Sequence, residues 1–151
     1  MIHLQNMKYV HVSPSALVDD TDATTATIDT FGFDYCEIFI SIGATDIAMD
    51  DLQVFESDDS GMSGQVVITG LRYGTDTTVD GGTSTKPNTD NNKTRLFQID
   101  LKNRKRYLDV DADCGNGSAG TQIAIVAILS RAAESPADSA AGKGVDEILR
   151  V

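Results

Sequence analysis

The fold of this chain is decided by the stretch Tyr107-Leu-Asp-Val-Asp-Ala-Asp-Cys114, the glycine-rich segment Gly115–Gly120, and Thr121-Gln-Ile-Ala-Ile-Val-Ala-Ile-Leu-Ser130. In the first segment apolar and acidic residues alternate with the period of two that is typical of a β-strand. The third segment is rich in isoleucine, which favours pleated sheets because it is β-branched. The stretch therefore predicts two strands joined by a turn, and it indicates an all-β protein.

Similar alternation recurs outside this stretch. Its clearest example is Tyr35–Ile42, where Cys36, Ile38, Ile40 and Ile42 fall on one face and form the predicted core side. Shorter predicted strands are Met7–Ser13, which Pro14 would end, Ala26–Thr30, Leu52–Ser57, Gln65–Thr69, which Gly70 would end, and Leu96–Leu101. Seven or eight short strands separated by Gly, Asp and Asn turns favour a β-sandwich of jelly-roll type.

Length and residue pattern indicate one domain with two extensions. With 151 residues the chain suits a single domain. We predict a β-sandwich over residues 1–130, whose first 25 residues form an N-terminal arm and the first strand. Residues 131–151 form an extended C-terminal tail, which is small and polar at first but ends in the apolar segment Val145–Val151. An apolar tail end of this kind is a candidate for docking on a neighbour.

Charge and hydropathy exclude several classes of partner. The net charge is −11 at pH 7, and an acidic protein repels the phosphate backbone, so we expect no nucleic-acid partner. No apolar run approaches the ~20 residues that span a bilayer, and the N-terminus has no signal-peptide pattern. Two cysteines, Cys36 and Cys114, are too few for a disulfide scaffold. We expect free thiols, with a disulfide between the two as the less favoured alternative.

The sequence shows no catalytic signature. The histidines are His3 and His11, and nothing near them resembles a nucleophile elbow or a phosphate loop. Asp109, Asp111 and Asp113 suggest a calcium loop, but the glycine and glutamate that such a loop needs at its sixth and twelfth positions are missing. We therefore expect no enzyme activity, no cofactor and no bound metal.

A basic cluster precedes the stretch that decides the fold. Lys102, Arg104, Lys105 and Arg106 hold a third of all lysine and arginine residues within five positions. The cluster has two interpretations: a solvated turn between strands, or a set of cations that pairs with an acidic surface of another molecule.

Several segments resemble small head proteins of tailed bacteriophages and prophages. They are Gly32-Phe33-Asp34-Tyr35, Gly43-Ala44-Thr45-Asp46-Ile47-Ala48, Glu56-Ser57-Asp58-Asp59-Ser60-Gly61-Met62-Ser63-Gly64, Arg104-Lys105-Arg106-Tyr107-Leu108-Asp109, Ala127-Ile128-Leu129-Ser130-Arg131-Ala132 and Ile148-Leu149-Arg150-Val151. The resemblance covers roughly residues 26–151. Within that group the chain is similar to capsid decoration, or cement, proteins.

This resemblance implies a jelly-roll-like β-sandwich bound in many copies to the outside of the capsid. The expected partners are the major capsid protein and the chain itself, as a homotrimer or, less favoured, a dimer. The protein would be made in the bacterial cytoplasm and reside on the virion surface. The expected partner-binding residues are Ile2, Leu4, Tyr9, Lys102, Arg104, Lys105, Arg106, Val145, Ile148, Leu149 and Val151.

An alternative is a receptor- or carbohydrate-binding β-sandwich domain of a phage fibre or spike. Its binding site would be sought in Tyr73–Lys93, a polar segment of a length that is uncommon for a loop and that often indicates function or mobility.

Overall fold

The chain folds into two antiparallel β-sheets that pack face to face. The computed structural model describes residues 6–89, 91–133 and 139–149. Within these ranges helical structure is limited to single short turns, and no helix there is long and apolar enough to cross a bilayer. The predicted all-β class and the single-domain β-sandwich are therefore confirmed.

Nine strands are formed by the described residues. They are β1 (Lys8–Val18), β2 (Thr21–Asp22), β3 (Ile28–Asp29), β4 (Phe33–Ile42), β5 (Asp51–Ser57), β6 (Val66–Arg72), β7 (Lys93–Asp100), β8 (Tyr107–Cys114) and β9 (Thr121–Ala132). A 3-10 helix follows at Ala141–Lys143. Strand β8 has the bounds that the sequence predicts, and β9 runs two residues further than predicted.

The strand order is that of a jelly roll. One sheet, here sheet A, has the order β1-β9-β4-β7, and the other, sheet B, has the order β2-β8-β5-β6 with β3 also paired to β8. Counted as two pieces of one strand, β2 and β3 complete a set of eight strands in two four-stranded layers, as in double-sheet jelly rolls. Strands β6 and β7 form the edges of their sheets on the same open side of the sandwich.

The core lies between the inner faces of the two sheets. In sheet A the central strands pair Ile38 with Ala127 and Ile40 with Ile125, and these four side chains are completely buried. Sheet B meets them with a layer of similarly buried residues, namely Leu52, Val54, Leu108, Val110 and Ala112. The core face predicted for Tyr35–Ile42 is thus confirmed.

Both cysteines contribute to this core as free thiols, as expected from their small number. Burial raises the pKa of the Cys36 thiol to about 12 and that of Cys114 to about 11. A buried thiol with a raised pKa forms little of the thiolate that reacts, so both cysteines are chemically inert in the folded protein.

Two residues that were predicted to end strands do not end them. Pro14 does not end the first strand, because β1 continues to Val18. The proline is tolerated because β1 is an edge strand, and the pairing with β9 shifts register on both sides of Ser13. Likewise Gly70 does not end β6: the strand continues to Arg72, with Gly70 at a φ of 93° beside a register shift.

The glycine-rich segment between β8 and β9 packs against the corner between β1 and β2. Gly120 has a φ of 74°, and a Cβ atom there would lie 2.7 Å from the carbonyl oxygen of Val18. The Asp46 carboxylate accepts hydrogen bonds from the backbone N–H groups of Ser118 and Ala119, at 2.7 and 2.8 Å. Both bonds lower the pKa of Asp46, and the bond from Ala119 has the larger effect.

Part of the C-terminal segment packs on β1. Lys143 is buried and its ammonium group donates a hydrogen bond to the carbonyl oxygen of Met7 at 3.2 Å. Gly144, with a φ of 70°, approaches the Tyr9 carbonyl so closely that any Cβ atom would overlap it. The segment is thus held at the edge of sheet A opposite to β7.

Candidate docking face

The outer face of sheet A carries an apolar surface across all four strands. Cross-strand register aligns His11, Val126, Phe39 and Leu96 in one row. The neighbouring row consists of Tyr9, Ile128, Glu37 and Gln98. Phe39 is 42% exposed and Leu96 is 43% exposed. Large apolar side chains that stand side by side in water on a sheet are typical of an interaction surface. We refer to these two rows as the docking face.

The docking face is nearly free of charge. Glu37 is the one acidic side chain in its two rows, and its carboxylate accepts a hydrogen bond of 2.7 Å from the Gln98 amide. The amide satisfies one oxygen of this carboxylate and leaves its charge in place. With one carboxylate among eight residues in a chain of net charge −11, this face is nearly neutral.

The outer face of sheet B is acidic instead. The register places Asp22 opposite Asp113 and Asp113 opposite Asp51, while Asp111 lies one row further along β8. Desolvation is the main cause of the raised pKa of Asp113, and repulsion by the neighbouring carboxylates raises it further. Desolvation also raises the pKa of Asp111, against the hydrogen bond from Gln53. The outer faces of the two sheets thus differ in charge.

Gln53 lies under these carboxylates with an unsatisfied oxygen. Its Nε2 donates to Asp111 at 2.7 Å, and its buried Oε1 has no hydrogen-bond partner among the described residues. A buried acceptor that lacks a donor destabilises a fold. A protonated Asp111 has both an O–H donor and a carbonyl acceptor, so it can donate to Oε1 while its other oxygen accepts from Nε2.

Asp111→Asn is therefore expected to stabilise the protein by about 1 kcal/mol at neutral pH, since the new amide supplies a donor and removes a charge. The raised pKa of Asp111 means that folding favours its protonated form. The protonated carboxyl therefore stabilises the fold fully below its unfolded pKa, and this contribution is lost as the pH rises through its folded pKa. The gain should consequently vanish in acid. Urea unfolding at several pH values measures it, with Asp109→Asn as the control on the same strand; a pH-independent gain would contradict this account.

Three of the four basic side chains of the cluster are paired within the chain. The Arg106 guanidinium donates to both carboxylate oxygens of Asp29, at 2.8 and 2.7 Å. These bonds lower the pKa of Asp29 and raise that of Arg106. Arg104 lies 3.3 Å from Glu56, and Lys105 lies 3.7 Å from Asp58. Lys102 is exposed.

Because these cations already have acidic partners within the chain, they do not require acidic residues on another molecule. The Arg106 guanidinium also lies over two rings, 4.8 Å from the centre of Phe31 and 4.9 Å from that of Tyr107. Phe31 is 74% exposed. The cluster is therefore a neutralised turn with an arginine held between aromatic rings, a combination that is enriched at interface hot spots. Its binding role stays a prediction.

The other predicted contact residues fall in three places. Tyr9 lies on the docking face opposite Ile128. In the C-terminal segment, Val145 and Ile148 are half-buried, whereas Leu149 is 93% exposed. The remaining predicted contacts, Ile2, Leu4 and Val151, lie outside the described residues. The structure thus joins Tyr9 to a surface, and it leaves the basic turn and the tail as separate regions.

The described part of the chain offers little for catalysis or metal binding. It holds no group of three or more His, Cys, Asp or Glu side chains arranged to bind a metal ion. His11 stands exposed at the end of the apolar row on β1, and both thiols are buried.

Sequence reasoning missed most of the docking face, of which only Tyr9 was among the predicted contact residues. The run Thr121–Ser130 is apolar at both alternating sets of positions, which is the pattern of a strand that is covered on both faces. That signal could have indicated a covered outer surface on β9. Comparisons of the chain with models of protein families and with curated proteins found no match.

Proposed function

We propose that this protein is a non-enzymatic structural protein that decorates the outside of a tailed-phage head. It would bind the major capsid protein and stabilise contacts between capsomers. The observation that carries the proposal is the contrast between the neutral, apolar docking face and the acidic outer face of sheet B. The choice of a capsid as the partner derives from the resemblance of segments such as 43–48 and 104–109 to phage head proteins.

The contrast fits a protein that lies on a larger surface in many copies. Copies with a net charge of −11 repel each other and stay soluble before assembly. At the docking face that repulsion is weakest, and burying Phe39, Leu96 and Val126 there contributes about 25 cal/mol for each Å² of apolar area. The carboxylates of sheet B remain in water, where ionised groups are best solvated.

The proposal also covers self-association and the location of the protein. The copies would form trimers or, less favoured, dimers on the shell, so that modest contacts add up through multivalency. Synthesis in the bacterial cytoplasm precedes attachment to the virion surface, with no membrane or nucleic-acid partner. Jelly rolls occur in viral shells and in lectins alike, so the fold is compatible with this role and does not select it.

The proposal is tested with heads of the phage that encodes the chain, prepared without this protein. We expect purified protein to sediment with the heads at a fixed number of copies per capsomer and to raise the temperature at which they open. Absence of sedimentation with the heads at micromolar protein concentration would overturn the capsid role. Binding to host-cell polysaccharide instead would favour the fibre or spike alternative.

A further inference from the structure

A cavity opens between the free edges of β6 and β7. Its volume is about 340 Å³, and the loop after β6 forms one wall. The lining is largely apolar and includes Leu71, Tyr73, Val79, Leu96 and Phe97. Val79 stands at this site 96% exposed to solvent. A large apolar side chain that is fully exposed beside an apolar cavity indicates a site for another apolar group.

The backbone of β7 faces this cavity. The Tyr73 hydroxyl accepts a hydrogen bond from the N–H of Leu96 at 3.2 Å and donates one to its carbonyl oxygen at 3.0 Å. The backbone groups of Leu96 therefore point away from β4, and those of Gln98 point the same way because an antiparallel ladder alternates. The Tyr73 hydroxyl already pairs with both backbone groups of Leu96, so an extended peptide beside the cavity would pair with the strand edge at Gln98.

Basic residues surround the cavity in an otherwise acidic protein. Arg72 lines it, and its guanidinium also binds Asp51 at 2.7 Å. The guanidinium of Arg95 lies 5.9 Å from the centre of the Tyr73 ring. Lys86 lies 3.8 Å from the same Asp51 carboxylate, and Asp76 also lines the cavity. Three cations against two carboxylates among these described residues leave a small local excess of positive charge, which favours an acidic occupant.

The C-terminal segment has the matching chemistry. Asp146 and Glu147 precede Ile148 and Leu149, so acidic and apolar residues follow each other within four positions. Leu149 is 93% exposed and thus lies outside the cavity of its own chain. Its segment is anchored by Lys143 on β1, at the edge of sheet A opposite to β7. The anchored part of the segment therefore lies on the side away from its own cavity.

We propose that the cavity between β6 and β7 receives Ile148 and Leu149 from a second copy of the chain. Acidic residues 146 and 147 then face Arg72 and Arg95, and the tail runs along the edge of β7. Each copy donates from one edge of sheet A and accepts at the other, so the contact is head to tail and can close a ring. This association needs no shell, and it stands or falls separately from the capsid role.

Mixing two variants that each carry one added cysteine tests the contact, because a disulfide between different variants can form only between molecules. Full-length chains carrying Val79→Cys and Leu149→Cys are mixed under mild oxidation, and the cross-linked heterodimer is quantified by non-reducing electrophoresis. We expect about tenfold more of it than from a mixture of Val66→Cys with Leu149→Cys, since docking raises the local concentration of the two thiols. Val66 is a suitable control because it is 48% exposed on β6 and does not line the cavity. The buried native thiols do not compete.

The mass in solution provides the second measurement. Light scattering after size exclusion should give a multiple of 16.1 kDa for the unaltered chain and a value near 16.1 kDa for Leu149→Ser. Equal cross-linking in both mixtures, or a mass that Leu149→Ser leaves unchanged, would overturn the proposal. Both measurements are made without phage heads, so failure here is distinct from failure to bind a capsid.

Discussion

Replacing Phe39 with aspartate is expected to abolish attachment to the phage head while the fold survives. Phe39 lies in the middle of the docking face, between Val126 on β9 and Leu96 on β7. A carboxylate there would lose water on attachment, and its described cross-strand neighbours Val126 and Leu96 offer no cation, which costs several kcal/mol. A loss of about 3 kcal/mol corresponds to roughly a hundredfold weaker binding.

The fold should tolerate this change because the ring at position 39 points outward and is 42% exposed. Circular dichroism and the unfolding midpoint check that point. Val66→Asp is the matched control, since Val66 is an exposed valine on sheet B (48%) and lies outside the docking face. We expect Val66→Asp to sediment with heads like the unaltered protein. Binding of Phe39→Asp within about twofold of the control would exclude this face from the contact with the capsid.

Gly120→Ala should cause the largest loss of stability among the glycine substitutions considered, about 3 kcal/mol in the free energy of unfolding. The left-handed φ of 74° accounts for roughly 1–2 kcal/mol of this loss in any residue with a Cβ atom. The remainder arises because the new methyl group would lie 2.7 Å from the Val18 carbonyl oxygen and 3.0 Å from the Cβ of Asp19. The corner between β1 and β2 would have to move to make room.

Gly81→Ala separates the two contributions. Gly81 also has a left-handed φ, of 88°, but an added Cβ there would meet no atom within 4 Å. We expect it to lose about 1 kcal/mol, which is the conformational part alone. Urea unfolding followed by circular dichroism measures both variants. Losses that agree within about 0.5 kcal/mol would mean that the corner yields without resistance.

Local sequence sufficed for the elements whose residues alternate strictly. The strand Tyr107–Cys114 has its predicted bounds because apolar and acidic residues alternate along its whole length. The core side of β4 followed from the same rule. The end of β1 could not be predicted from local sequence, because whether Pro14 breaks a strand depends on the strands beside it. An edge position tolerates the missing N–H group, and edge position is decided by the whole topology.

Contacts distant in sequence explain what the sequence did not reveal about the site. The basic cluster was expected either to remain in solvent or to seek acids on another molecule. Its partners Asp29, Glu56 and Asp58 come from the β3 and β5 regions, and no local pattern places them beside residues 104–106. The docking face likewise depends on register, since Phe39 and Leu96 become neighbours only through the pairing of β4 with β7.

The acidic outer face of sheet B has a consequence for the thickness of any coat that this protein forms. Once the neutral face is occupied, an arriving copy meets Asp22, Asp111 and Asp113 and carries the same sign of charge itself. Such a coat stops at one molecular layer, because its finished surface repels its own building block. Concentrated salt, which shortens the Debye length to about 3 Å at 1 M, would remove that barrier and allow a second layer to deposit.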